Sequence, residues 1–340
     1  MELLLFRPDD FARIYNCSYY TQEEWRSFGK ASRIHGAVYI TVGIVFTMTY
    51  IPCLMVMVKS NLLKHTAYKL MFYLGLFDMS SIFANSMASG IYSLNGDVAC
   101  NGITFKYFLG CLGMYSWIIQ STSVIYLALT RLFELCEWRF FRSLFEKHRL
   151  YFWLLAAQVY GFIWLFYDRA ALFTSLGYAW YFDPYYRIEE MNFIDRTQFK
   201  DVYFVIHNFV VGGLLPLIYF ALSIVLWLKA RHGGAKTSRL QYLSFVISLT
   251  VMVGSMIYAY INLVEVAETF GLVASAAWLI NSGCPSILYL TINQTIRQGV
   301  LQLLKCSKVE SEKCSHSSKV NVAVTPPNAV QQSNMQNKLS

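Results

Sequence analysis

Residues 36–58 read GAVYITVGIVFTMTYIPCLMVMV, with no Asp, Glu, Lys, Arg or His among them. A helix rises about 1.5 Å per residue, so this run is long enough to cross a hydrocarbon core of about 30 Å. Its apolar residues favour no side, and a helix apolar all round belongs in lipid or in a large core. Six further stretches of this kind follow, at 70–91, 107–129, 150 to about 172, 202–228, 240–263 and 270–292. The expected fold is an all-α membrane protein, a seven-transmembrane helix bundle.

The charges give this bundle a direction. Asp168 and Arg169, at the outer margin of the fourth span, are counted with the loop that follows. Of the 28 Lys and Arg, 18 then lie in the tail and on the loops of its side, 10 lie on the opposite side, and none lies within a span. Acidic residues run the other way, with 5 on the tail side, 14 opposite and Asp78 alone inside a span. The positive-inside rule puts the N-terminus outside and the tail in the cytoplasm. The formal net charge of +8 is then a topological signature and gives no support to nucleic-acid binding. Only 14% of residues are charged, against about a quarter in soluble domains. The expected division is an extracellular arm at 1–35, a membrane domain at 36–304 and a disordered cytoplasmic tail at 305–340. The run Met1 to Phe6 is too short for a cleaved signal peptide, so the first span is expected to serve as the insertion signal.

Eight cysteines divide by side. Cys53, Cys111 and Cys284 lie in spans, and Cys136, Cys306 and Cys314 fall on the cytoplasmic side. Cys17 and Cys100 share the oxidising side, where a disulfide and two free thiols are both compatible with the spacing. Asn16-Cys17-Ser18 is a glycosylation sequon facing outward, and Asn293-Gln294-Thr295 faces the cytoplasm.

Asp78 asks for partners within the bundle, because an Asp at mid-helix costs about 2.5 to 3.5 kcal/mol on insertion. It reads as a hydrogen-bond anchor or as a hydrated switch holding a sodium ion, with Asn281 and Ser282 as neighbours. Catalysis has little to build on. His207 is the sole histidine in a span, no two carboxylates share the bilayer, and no Gly-rich phosphate loop follows a strand. The chain reads as no enzyme and calls for no cofactor. Transporter repeats do not suit seven spans.

A receptor needs a pocket on one side and a partner face on the other. Polar and aromatic residues in the outer halves of the spans supply pocket candidates: Tyr115, Trp117 and Gln120, His207 and Asn208, Tyr258, Tyr260 and Asn262, and Trp278 with Asn281. Interfacial aromatic belts would account for any one of the Tyr and Trp alone. On the cytoplasmic side Arg131 closes the third span, with Glu134 placed to pair at i+3. The third loop, Lys229 to Arg239, holds four basic residues and no acid. Residues 294–304 form a short amphipathic helix along the bilayer, with Cys306 beside it as a palmitoylation candidate. A ligand-gated or constitutive ion channel of the plasma membrane is the alternative to a receptor.

Several fragments point to one family. They are Tyr15-Asn16-Cys17-Ser18, Glu24-Trp25, Tyr50-Ile51-Pro52-Cys53-Leu54, Tyr68-Lys69-Leu70-Met71 leading to Asp78, Trp180-Tyr181-Phe182-Asp183-Pro184, and Pro285-Ser286-Ile287-Leu288-Tyr289 running on to Arg297. Together, over about residues 15 to 300, they resemble the nematode serpentine receptor class T family of chemoreceptors, which are seven-transmembrane G-protein-coupled receptors. The resemblance implies an odorant or pheromone-like ligand taken from outside, a heterotrimeric G protein as partner, and a plasma-membrane setting such as a sensory cilium. It implies that Asp78 and Asn281 link the pocket to Arg131, Pro285 and Tyr289. The chain departs from rhodopsin-like receptors at Thr130 before Arg131, at Cys284 before Pro285, and in a sixth span without proline. The second outer loop has no Cys, so a Cys17–Cys100 bridge would replace the common one to the third span.

Overall fold

A computed structural model describes residues 1–137, 139–146, 148–231, 239–264 and 268–308. Six of its helices are long and apolar enough to cross a membrane. These are α4 (Arg33–Lys59), α7 (Ile103–Cys136), α9 (Arg149–Tyr167), α10 (Val202–Arg231), α11 (Arg239–Leu263) and α12 (Glu268–Thr291). The second span is α5 (Thr66–Ile82) continued through a π-helical segment, Phe83–Ala88, into α6 (Ser89–Asn95). With it the fold is a seven-helix bundle. Much of the third loop and everything beyond Lys308, Cys314 included, lie outside the described residues, as do the side chains of Cys306 and Ser307.

Burial orders the spans. In its most apolar stretch, α7 has 72% of its residues buried and α9 only 22%, so the third span is the axis and the fourth lies at the edge. Ile44, Val45, Met48, Phe152, Leu155, Leu217 and Phe220 are exposed and apolar, an outward belt suited to lipid. After α12, α13 (Gln294–Lys308) turns its apolar side inward, burying Ile296 and Val300.

The fourth span stops at Tyr167, short of the 172 expected from composition. Asp168 ends it in an extended conformation, and Leu172–Thr174 instead forms β1, antiparallel to β2 (Ala179–Tyr181). Leu172 faces Tyr181, Phe173 faces Trp180 and Thr174 faces Ala179, and all six are buried. The hairpin lies across the end of the bundle. Trp180 Nε1 donates to Ser89 Oγ at 2.8 Å, and Tyr39 on α4 donates its hydroxyl to the Tyr178 carbonyl at 2.7 Å. Ser175 N, in the turn, donates to the Asp97 carbonyl at 2.9 Å. Gly110 admits this cover, since a Cβ there would stand 1.9 Å from the Ala171 carbonyl oxygen.

The arm on the same face is folded. It holds three short helices, α1 (Glu2–Phe6), α2 (Pro8–Ile14) and α3 (Gln22–Phe28), the last opened by a capping box of Thr21 and Glu24. Cys17 and Cys100 are bonded, with Cα atoms 5.4 Å apart. Trp25 is fully buried and donates to the Cys17 carbonyl at 2.8 Å, and Tyr185 donates to the Asn16 carbonyl at 2.8 Å. Tyr15, Trp25, Tyr107, Tyr185 and Phe199 thus form a second core, apart from that of the bundle. The Asn16 side chain accepts from Ser18 N and Oγ at 2.9 and 2.7 Å.

Asp168 meets Asp201, which caps α10 by accepting from Phe204 N at 2.9 Å. Burial, with the Asp201 carboxylate adding to it, pushes the Asp168 carboxyl up to about 9. An unfolded Asp titrates near about 3.9. Between those values the folded state holds a proton that the unfolded chain has released, so stability falls as pH rises. Asp168→Asn should therefore flatten the fall in unfolding midpoint from about pH 5 to about pH 8 seen in the parent, measured in detergent. An unchanged slope would place the pH dependence elsewhere.

Closing the arm's loop makes a second expectation. Cys17→Ser should cost on the order of 4 kcal/mol, by loop-closure entropy for a separation of 83 residues. Thermal unfolding of the variant against the parent measures it.

Candidate functional site

Under the hairpin, the third, fifth, sixth and seventh spans leave a chamber. Met114 and Trp117 of α7, Phe204 of α10, Tyr258, Ile261 and Asn262 of α11, and Trp278 of α12 form its walls. Ala171, Trp180, Tyr181 and Phe182 close it from the hairpin side, and it encloses about 480 Å³, mouth included. Its rings meet largely edge to face, Tyr258 with Trp278 at 6.0 Å and Phe182 with Phe204 at 5.3 Å between centroids.

Tyr181, Phe182, Ile261 and Asn262 also border an outer vestibule rimmed by Asp183, Arg187, Arg196 and Lys200. Arg196 holds the rim in shape. Its guanidinium donates to Asp183 Oδ2 at 2.8 Å, the Tyr185 carbonyl at 2.6 Å and the Ile188 carbonyl at 2.8 Å.

Below the chamber sits the Asp78 carboxyl. Tyr50 donates its hydroxyl to Oδ2, and Gln120 Nε2 donates to Oδ1 at 2.7 Å. Gln120 Nε2 also reaches Ser81 Oγ at 3.1 Å and Ser282 Oγ at 3.5 Å. Through these groups Asp78 joins the first, third and seventh spans to the second. Gly75 makes room, because a Cβ there would lie 2.8 Å from the Tyr50 ring. Each carboxyl oxygen thus accepts one hydrogen bond, as the hydrogen-bond anchor expected from the sequence requires.

At the far end Arg131 is buried. It donates through NH1 to Glu134 Oε2 at 2.8 Å and through Nε to Ser244 Oγ on α11 at 3.4 Å. The third and sixth spans are thereby tied together at the face of α13. Tyr219 on α10 adds a link to the sixth span, accepting from Ser248 Oγ at 3.1 Å.

A seven-helix bundle with a covered chamber at one end and a buried Arg at the other fits the comparison with known proteins. The family model "Serpentine type 7TM GPCR chemoreceptor Srt" matches residues 4–313. The chain belongs to this family. The Caenorhabditis elegans protein "Serpentine receptor class T-55" is 26% identical to it over 325 residues, 92% of this chain and 84% of that protein.

In this Srt chain the pocket candidates from the sequence separate into two groups. Trp117, Tyr258, Asn262 and Trp278 line the chamber. Tyr115 turns to the fourth span and donates to Gln158 Oε1, because two residues from Trp117 is about 200° round a helix. Gln120, one turn below Trp117, serves Asp78 instead. His207 lies between Ser121 Oγ at 2.9 Å and Tyr160 at 3.0 Å, on the side of the fourth span. Asn208 stands behind the wall, accepting from Trp117 Nε1 at 3.2 Å.

The switch candidates separate as well. Asn281 makes no hydrogen bond to Asp78; it faces α11, with its amide nitrogen 3.3 Å from where a Gly254 Cβ would be. Tyr289, one turn after Pro285, is fully buried beside Tyr50, with ring centroids 6.2 Å apart. Sequence reasoning missed Tyr50 as the partner of Asp78, and missed the hairpin residues altogether. The aromatic run Trp180-Tyr181-Phe182, following Gly177, was the available signal for the hairpin.

Removing the carboxyl takes the acceptor from the Tyr50 hydroxyl and leaves Gln120 Nε2 with only the Ser81 and Ser282 hydroxyls. Asp78→Ala should cost about 3 kcal/mol and Asp78→Asn less, since the amide keeps one oxygen. Unfolding of the two variants in detergent gives the order, and equal loss in both would mean that the carboxyl acts only by its volume.

Proposed function

We propose that this chain is a chemosensory receptor of the plasma membrane, with the arm outside and α13 in the cytoplasm. A small molecule enters through the vestibule, occupies the aromatic chamber, and promotes coupling to a heterotrimeric G protein at the face that holds Arg131. One observation supports this most strongly. Trp117 and Tyr258, neighbouring rings of the chamber wall with centroids 6.5 Å apart, stand on the same two helices that Arg131 and Ser244 tie together at the other end. A molecule in the chamber touches both rings and so bears on both helices directly.

The tie favours the closed arrangement of the third and sixth spans. A ligand opens it only by binding the open arrangement better than the closed one, and the shift is limited by that difference. The Asp78 cluster lies between the two ends and gives them a shared set of contacts in four spans. In the open state Arg131 leaves Ser244 and meets the G protein.

Arg131→Ala should abolish agonist-stimulated nucleotide exchange with surface display unchanged. Ser244→Ala should raise exchange without ligand by about fivefold, the effect of losing about 1 kcal/mol from the closed state. Exchange assays on membranes with added G protein measure both. Full stimulated exchange in Arg131→Ala would remove the Arg from coupling.

A further inference from the structure

The chamber wall carries three hydrogen-bond donors with no partner among the described residues, on Trp278, Tyr258 and Tyr181. Trp278 is 6% exposed and its Nε1 has no partner; Tyr258 is 9% exposed and its hydroxyl has none. The other two tryptophans of the wall are satisfied, Trp117 by Asn208 and Trp180 by Ser89. Buried polar groups in folded proteins are nearly always paired, so unpaired donors on three residues that line one chamber ask for something that meets them. An indole N–H can only donate. What it meets must therefore carry an acceptor.

From this we infer that the ligand is a compact neutral molecule with a hydrogen-bond acceptor, such as a ketone, ester or lactone, whose oxygen accepts from Trp278 Nε1 and the Tyr258 hydroxyl. This rests on the chamber being the ligand site, as proposed above. A carbonyl oxygen has two lone pairs and can take both donors at once. Around them Met114, Phe182, Phe204 and Ile261 give the rest of the molecule an apolar surface. Among the described residues no Asp, Glu, Lys, Arg or His lines the chamber, so a carboxylate or an ammonium would lose its hydration there with no opposite charge from them to replace it. The charged rim of Asp183, Arg187, Arg196 and Lys200 belongs to the vestibule.

The test uses pairs of probes alike in shape and different at one atom. Acetophenone and α-methylstyrene differ by an oxygen in place of a methylene; methyl benzoate adds an ester, and benzoate and benzylamine add charge. Binding to the whole receptor in lipid nanodiscs, without G protein, is measured by equilibrium dialysis. Acetophenone and methyl benzoate should bind at least tenfold more tightly than α-methylstyrene, and the charged probes more weakly than either. Trp278→Phe and Tyr258→Phe should each reduce the ratio, and the double variant should bring it close to one with α-methylstyrene unaffected.

Ligand-free unfolding midpoints distinguish this role from a structural one. In Tyr258→Phe, which keeps the ring, removing a donor that has no partner should leave the midpoint unchanged or raised, whereas losing an internal hydrogen bond would lower it. Equal binding of the matched pair, failure of both carbonyl probes to bind, or a preference that survives both substitutions would overturn the inference. Carbonyl preference with no nucleotide exchange would leave the inference standing and remove G-protein coupling. Exchange driven only by charged ligands would do the reverse.

Discussion

A polar group placed among lipid tails has no water to turn to, and this constraint governs the bundle. Asp78 meets it most severely, and the answer involves four spans. Tyr50 and Gln120 supply donors, Gln120 extends to Ser282, and Gly75 lets the tyrosine come close enough. The same rule holds Trp117 on Asn208 and His207 between Ser121 and Tyr160. In the chamber wall Trp278 Nε1 and the Tyr258 and Tyr181 hydroxyls have no partner among the described residues, whereas Trp117 and Trp180 are paired.

Cover for the chamber comes from outside the spans. The hairpin closes over it, and its residues are fixed to the first span through Tyr39 and to the second through Ser89. The arm is fixed in turn by the Cys17–Cys100 bond and by Trp25. Motion at this end must pass through a paired strand and a cross-linked arm. At the opposite end Arg131 meets Ser244 at 3.4 Å, Tyr219 meets Ser248, Lys229 pairs with Glu137, and Tyr68 meets Asn293.

The number of spans was legible because length, hydropathy and basic residues act together over about 20 positions each. The second span was legible from composition, although its π-helical segment leaves α5 and α6 each too short to qualify as a crossing helix alone. The end of the fourth was not. Leu172 to Thr174 are apolar in either reading, and only pairing with Ala179 to Tyr181, which a three-residue strand hardly announces, turns them from helix to strand. Among the site residues, type was readable and direction was not. Tyr115 and Trp117 are equally suited to a pocket by chemistry, yet about 100° per residue sends them to different sides of α7. Asn281 was a reasonable partner for Asp78 by its chemistry; the tyrosine that partners it lies on another helix, a pairing that no local pattern records.

The account stands on occupation of the chamber controlling the far face. The most direct measurement compares the parent with Met114→Trp, which fills the chamber from α7, in nucleotide exchange on a heterotrimeric G protein with both displayed equally in nanodiscs. Small carbonyl-bearing ligands should stimulate exchange by the parent and leave the filled variant at its basal rate. Equal stimulation of both would show that the ligand acts elsewhere, and the chamber would lose its place as the site.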